Sequence, residues 1–189
     1  AVSDGGALYK YTAHCNHGGH ADPKFETSDL SSLTNYHKYL LGIGNCCLSN
    51  TFGDDYSTPC FGEAFLQMVD RGGIGYIGGS NSTYWYEDYY WGVGNGPVVG
   101  SGPTYAQTGQ GAYDGLFHDH GEIPEHHYIT NSAIIFAGNM AVTESGLSRI
   151  AYYWPCYHMI VNRSVMCYMD GSATNTGNHS WGHPAEATF

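Results

Sequence analysis

Three groupings of residues in this chain have the side chains to do chemistry. The first is His14 with Cys47. A cysteine attacks a carbonyl only as its thiolate, and an imidazole within reach lowers the thiol's pKa or takes its proton. Residues this far apart in sequence meet only if two strand ends bring them together, and a buried cysteine is otherwise inert packing. The second grouping is the histidines: His14, His17 and His20 at three-residue spacing, His118 and His120 flanking Asp119, and His126-His127 after Glu125. Imidazole and carboxylate ligands suit zinc or a related ion. The first cluster falls in a Gly-rich turn and there is no HExxH motif, so solvated loop histidines are the plainer reading. The third is a pair of acids among aromatics, Tyr84-Trp85-Tyr86-Glu87-Asp88-Tyr89-Tyr90-Trp91. Rings pack the aliphatic stem of a lysine or arginine while a carboxylate pairs its head. An ordinary amphipathic segment with solvated acids fits the same letters, and the two readings stand level.

The elements that must position these groups read as α/β. Leu8 to Ala13 mixes β-branched and aromatic residues and runs into the His/Gly-rich turn. Tyr39 to Asn45 is a short apolar run of the kind expected of a strand buried on both faces, ending at Cys46-Cys47. Ile74 to Ile77 is a third run between glycine pairs. Between the last two, Thr58 as cap, Pro59 at the first position, Phe61, Ala64, Phe65, Met68 and Val69 on one face and Gly72 as the stop predict a helix. Strand, helix, strand normally makes a right-handed crossover between parallel strands, with function gathered at their carboxyl ends. His14 and Cys47 both occupy that kind of position. A second helix is predicted over Asn131 to Ser145, with Ala133, Phe136, Ala137, Met140 and Ala141 on one face and Gly146 following. Ile150 to Val161, apolar nearly all round, reads as a buried helix despite Pro155. Gly92 to Tyr113 reads as a long surface loop. The expected division is a domain over residues 1–170 and a polar terminal or connecting segment over 171–189.

Composition limits the partners. The 189 residues carry 6 Lys+Arg against 17 Asp+Glu, a formal charge of −11, with 42% apolar residues and 17 Tyr. That is one domain's worth of chain with ample core material. Nucleic-acid binding is disfavoured, because neutralising phosphates needs clustered basic residues and these are scattered; cationic partners fit better. The longest apolar run, near Ala133 to Val142, is too short for a membrane span. The chain begins at Ala1 without an initiator Met or signal-like block, which reads as a mature product or a fragment. None of the six cysteines forms a CxxC pair, against a zinc-ribbon or thioredoxin reading. Cys156 and Cys167 are candidates to bridge, and sequons at Asn81, Asn162 and Asn178 carry little weight.

Taken in order, Tyr11-Thr12-Ala13-His14, Ala21-Asp22-Pro23, Ile43-Gly44-Asn45-Cys46-Cys47, Pro59-Cys60-Phe61-Gly62-Glu63, Ile77-Gly78, Tyr84-Trp85 and Glu87-Asp88-Tyr89-Tyr90-Trp91 resemble the gingipain family of secreted cysteine endopeptidases, most closely its lysine-specific members. The likeness continues through Asn131-Ser132, Ala137-Gly138-Asn139, Tyr152-Tyr153-Trp154, Tyr157-His158 and Ser164-Val165-Met166. The resemblance implies a caspase-like α/β sandwich with a mostly parallel central sheet flanked by helices, whose upstream part is absent from this chain. It implies His14 as the catalytic histidine, Cys47 as the nucleophile, and backbone N–H groups of Cys15 and Cys47 as the oxyanion site. Asp88 would be the specificity acid, with Thr12, Asn45, Tyr84 and Trp85 nearby. Expected partners are then protein or peptide substrates with basic residues and an upstream chain of the same precursor, on a secreted or cell-surface protein, and the chemistry needs no cofactor.

Two departures from the family pattern stand out. Ala13 and Cys15 flank His14 where the family has glycine, so a side chain at position 15 would crowd the oxyanion site if that position needs φ > 0, and its thiol is a candidate to react with Cys47. His17-Gly18 offers a rival His-Gly pair. Other readings are a family transpeptidase or sorting enzyme, an inactive or binding-only member of the same fold, and a His-rich metal-binding protein. The acidic stretches Asp54-Asp55 and Asp114 to Glu125 suit a structural calcium ion, or are simply hydrated loops.

Overall fold

Short apolar runs bounded by glycines, flanked by segments with helical periodicity, fold as layers around a sheet. The computed structural model describes residues 1–52, 56–94, 111–116, 125, 127 and 130–161. In chain order its elements are β1 (Leu8–Thr12), β2 (Cys15–Asn16), β3 (Gly19–Ala21), β4 (Lys24–Glu26), β5 (Leu40–Asn45), α1 (Phe61–Gln67), β6 (Gly73–Gly79), α2 (Trp85–Val93), α3 (Asn131–Glu144), α4 (Ile150–Tyr153) and β7 (Tyr157–Val161). The main sheet has the order β1-β5-β6-β7. Its first three strands are parallel, as expected, and β7 is antiparallel to β6.

Alternation along the strands sorts the core onto two faces. Leu40 and Tyr76 point to one face, where Phe61 and Phe65 of α1 and Leu30 and Leu33 cover them. Ile43 and Ile77 point to the other, against Trp91 of α2, Ile134 and Val142 of α3, and Tyr153 of α4. Both middle strands are therefore buried on both sides. Tyr76 lies so close across β5 that a Cβ at Gly44 would collide with its hydroxyl, which explains the glycines in a strand that otherwise wants bulk.

Several boundaries differ from the sequence reading. Helix α1 is capped at Cys60, whose N–H donates to the Glu63 carboxylate at 2.9 Å in a capping box, while Thr58 gives its carbonyl to His17. The helix ends at Gln67 because Met68 turns extended, and Val69, expected on the buried face, is 78% exposed. Helix α3 begins as expected, with Thr130 Oγ1 accepting from the Ala133 N–H. Its buried side, however, carries Ile134, Ala137, Gly138 and Ala141, and Phe136 faces solvent beside Trp154. The buried helix expected over Ile150 to Val161 is α4 followed by β7. Pro155 lies in the turn between them, and its successors complete the sheet by pairing with β6.

Much of the long loop expected over Gly92 to Tyr113, the acids Asp54-Asp55, most of 114–125 and the segment 171–189 lie outside the described residues. The far end of that loop is not a surface feature: Ala112 is fully buried and its N–H donates to the Trp91 carbonyl. Among the described residues, no helix is long and apolar enough to cross a membrane.

Candidate active site

The last register pair of β1 and β5 is Thr12 with Asn45. The two chains leave the sheet side by side, one toward His14 and the other toward Cys47, at the carboxyl ends of neighbouring parallel strands. A disulfide joins them just beyond: Cys15, the residue after His14, is bonded to Cys46, the residue before Cys47, with a Cα–Cα distance of 5.6 Å. Cys15 is therefore not a free thiol competing for Cys47. Nor does it have a left-handed φ: among the described residues the non-glycine positions that do are His37, Leu48 and Asp70. The free thiols among the described residues are Cys47, Cys60 and Cys156. Burial pushes Cys60 up to about 12 and Cys156 up to about 11, and of the three only Cys47 reaches solvent. Cys167, the candidate partner for Cys156, lies outside the described residues.

The loop after Cys47 is tied to the end of β6. Leu48 adopts φ 58° and donates its N–H to the Asn81 carbonyl at 3.0 Å. Thr51 Oγ1 bonds the Ser80 carbonyl at 2.9 Å. A branched side chain in the left-handed region directly after a cysteine is the kind of backbone outlier that clusters at functional sites. The Cys47 sulfur accepts the Thr83 backbone N–H at 3.2 Å.

The three histidines of the first cluster part company. His14 is exposed, and its carbonyl is held by the Ala21 N–H and the Tyr11 hydroxyl at 3.0 and 2.8 Å. His17 stacks on Tyr56 at 3.8 Å and bonds the Thr58 carbonyl through Nε2 at 2.8 Å. His20 is buried, stacked on Tyr11 and bonded through Nδ1 to the Tyr9 hydroxyl at 2.7 Å. Burial lowers its pKa to about 4, so it is a neutral packing histidine. Among the described residues no group of three or more His, Cys, Asp or Glu is arranged to hold a metal; His118, His120 and His126 lie outside them.

The two adjacent acids of α2 have different surroundings. Glu87 is buried against Arg149, whose Nη1 lies 3.2 Å from Oε1. Asp88 is held by hydroxyls: Thr83 Oγ1 donates to Oδ2 at 2.6 Å, and the Tyr153 and Tyr157 hydroxyls lie 2.9 and 3.0 Å from Oδ1. Burial raises Asp88 to about 6; the Thr83, Tyr153 and Tyr157 hydrogen bonds pull it back, and the Glu87 charge pushes it up. Asn45 donates Nδ2 to the Asp88 carbonyl at 2.7 Å and accepts the Tyr157 hydroxyl. Thr12 Oγ1 lies 2.7 Å from the Tyr113 hydroxyl, which also faces Asn45. Thr12, Asn45 and Asp88 thus belong to one network. Tyr84 joins through its backbone, its N–H donating to the Tyr153 hydroxyl at 2.8 Å, while Arg149 lies over its ring at 3.9 Å; Trp85 is 71% exposed. Tyr113, Tyr153 and Tyr157 were not legible as members of the network, since each reaches it from a distant segment.

The profile of Peptidase family C25 matches residues 1–159. The chain belongs to this family of cysteine peptidases. Lys-gingipain W83 of Porphyromonas gingivalis is 42% identical over 181 residues, which cover 93% of this chain and 10% of that protein. A solved structure described as a protease is 41% identical, with TM-score 0.76, over 85% of this chain and 35% of that one. The Arg-specific gingipain R, at 17% identity and TM-score 0.66 over 85% of this chain and 33% of that one, shares the fold. The C25 chain described here spans about a tenth of the length of its curated relatives.

Proposed function

We propose that this chain carries the nucleophile and specificity pocket of a secreted cysteine endopeptidase that cleaves after basic residues, lysine above all. The observation that carries the reading is Asp88: a carboxylate largely out of water, surrounded by hydroxyls and, among the described residues, by no cation, with Thr83 bridging it to the Cys47 sulfur. An ammonium group on an aliphatic stem supplies the positive charge that the described residues do not. The similarity to a Lys-gingipain supports the same choice.

In the proposed reaction a substrate lysine pairs with Asp88, which holds the scissile carbonyl at Cys47. The thiolate adds to the carbonyl carbon, and the backbone N–H groups of Cys47 and Cys15 receive the oxyanion. His14 protonates the departing amine; water then hydrolyses the thioester and returns the thiol. The parallel register of β1 and β5 and the Cys15–Cys46 bond support a meeting of His14 with Cys47. A disulfide at this point favours an oxidising, extracytoplasmic location. β1 is one edge of the described sheet and β7 the other, and an upstream strand of a longer polypeptide would add at an exposed edge such as β1.

The test is hydrolysis of a Lys-ended reporter peptide together with labelling by a lysyl chloromethylketone. Cys47→Ala should lower kcat/KM by roughly 10³-fold or more and abolish labelling. Asp88→Ala should cost on the order of 100-fold on the Lys reporter and much less on a neutral one. Full activity in Cys47→Ala would remove the nucleophile assignment, and a folded wild-type chain that takes no label would indicate a binding-only member of the fold.

A further inference from the structure

Thr83, the last residue of the Asn81 sequon, touches both ends of the proposed chemistry. It follows the β6 turn and directly precedes Tyr84, the N-cap of α2, and it is buried. Its backbone N–H donates to Cys47 Sγ at 3.2 Å, its hydroxyl donates to Asp88 Oδ2 at 2.6 Å, and Oγ1 itself lies 3.6 Å from Sγ. A threonine hydroxyl has one proton. With that proton on Asp88, the oxygen offers only lone pairs to the sulfur, so its directed bond is to the acid while the backbone amide serves the thiol.

The side chain is fixed as well as bonded. A β-branched residue has few χ1 choices. The Thr83 methyl lies over the end of β6, where a Cβ at Gly79 would stand 3.0 Å from Cγ2 and 2.8 Å from the Cys46 carbonyl oxygen. Gly79 therefore lets Thr83 and the segment carrying the nucleophile close together over the strand end.

We infer that Thr83 is a positioning residue that sets the separation between the specificity acid and the nucleophile, its amide holding the Cys47 sulfur and its hydroxyl the Asp88 carboxylate. The inference rests on the lysine-cleaving reading and deepens it: the point that receives the ammonium and the atom that attacks the carbonyl are registered on one side chain and its own backbone. Among the described residues, the other groups facing Asp88 are the hydroxyls of Tyr153, Tyr157 and Tyr113, the Cys156 thiol, and Glu87 with its Arg149 partner. A change at Thr83 alters none of them directly. Because the Thr83 bond favours the ionised carboxylate, its loss moves the protonation of Asp88 to higher pH.

The deciding variants are Thr83→Val, which keeps the shape and removes the hydroxyl, and Thr83→Ser, which restores it. Thr83→Ala is read in parallel, so that either folded hydroxyl-free protein decides. Each is assayed for kcat and KM on Lys-ended and norleucine-ended reporters from pH 5 to 9, and the Asp88 carboxyl is titrated by ¹³C NMR. Loss of the hydroxyl should raise KM for the Lys reporter about tenfold more than for the norleucine reporter. It should also move the acid limb of kcat/KM and the carboxyl midpoint upward together, by about one pH unit, and serine should reverse both effects. A hydroxyl-free protein with unchanged KM and an unmoved carboxyl midpoint overturns the inference. If the wild type cleaves neither reporter, the peptidase reading fails by itself, and the carboxyl midpoint alone decides the role of Thr83: upward in valine or alanine supports it, unmoved overturns it.

Discussion

Glu87 and Asp88 are adjacent carboxylates with opposite fates. Glu87 pairs with Arg149, whereas Asp88 is surrounded by side-chain hydroxyls and, among the described residues, has no cation beside it. Its pKa of about 6 makes the consequence measurable. Above that pH the carboxylate is charged and attracts an ammonium group; below it the neutral acid does not. The acid limb of kcat/KM on a Lys reporter should therefore fall near pH 6, and Asp88→Asn should remove that limb together with the preference for lysine, as a pH–rate profile of the two proteins would reveal. A profile flat to pH 5 would separate Asp88 from substrate binding. At this scale the sequence displayed the acid in its aromatic setting but not its donors. Thr83 is a small polar residue in a turn, and Tyr153 and Tyr157 lie 65 and 69 residues away in sequence; only folding reveals that their hydroxyls converge.

At the scale of elements, the parts that place the dyad candidates were readable, because a strand buried on both faces prints a continuous apolar run. Leu40 to Asn45 and Gly73 to Gly79 are such runs. The region from Ile150 onward misled for the same reason: an apolar stretch does not say whether it satisfies its backbone within a helix or against a neighbouring strand, and here the open side of β6 decided for strand. The disulfide was not readable at all, since Cys15 and Cys46 become neighbours only once β1 pairs with β5. It closes a loop of 31 residues. Replacing both cysteines by serine should lower stability by about 3 kcal/mol in urea unfolding, and should lower kcat on the Lys reporter more than it raises KM, since the segments bearing His14 and Cys47 lose their tie. Unaltered kcat in a folded double variant would restrict the bond to a stabilising role.

The whole molecule is strongly acidic, at −11, and its field reaches beyond the pocket. A basic substrate approaching such a surface is steered, and salt screens the effect. Raising NaCl from 20 to 500 mM should reduce kcat/KM for a Lys-rich peptide several-fold while leaving alkylation of Cys47 by a neutral reagent unchanged; equal salt dependence of both would place the effect elsewhere than in steering. The acidic balance was plain in the composition. The arrangement of the layers was not, because α2, α3 and α4 reach the same face of the sheet from widely separated parts of the chain.

The covalent tie between residues 15 and 46 has a practical corollary at the bench. Thiol enzymes are customarily handled with a mercaptan or dithiol to protect the nucleophile from oxidation, and in this chain the same additive would attack the cystine that joins the residue after His14 to the residue before Cys47. Activity should accordingly rise and then decline as dithiothreitol is titrated in, and buffers borrowed from relatives without this cystine would sample the declining branch.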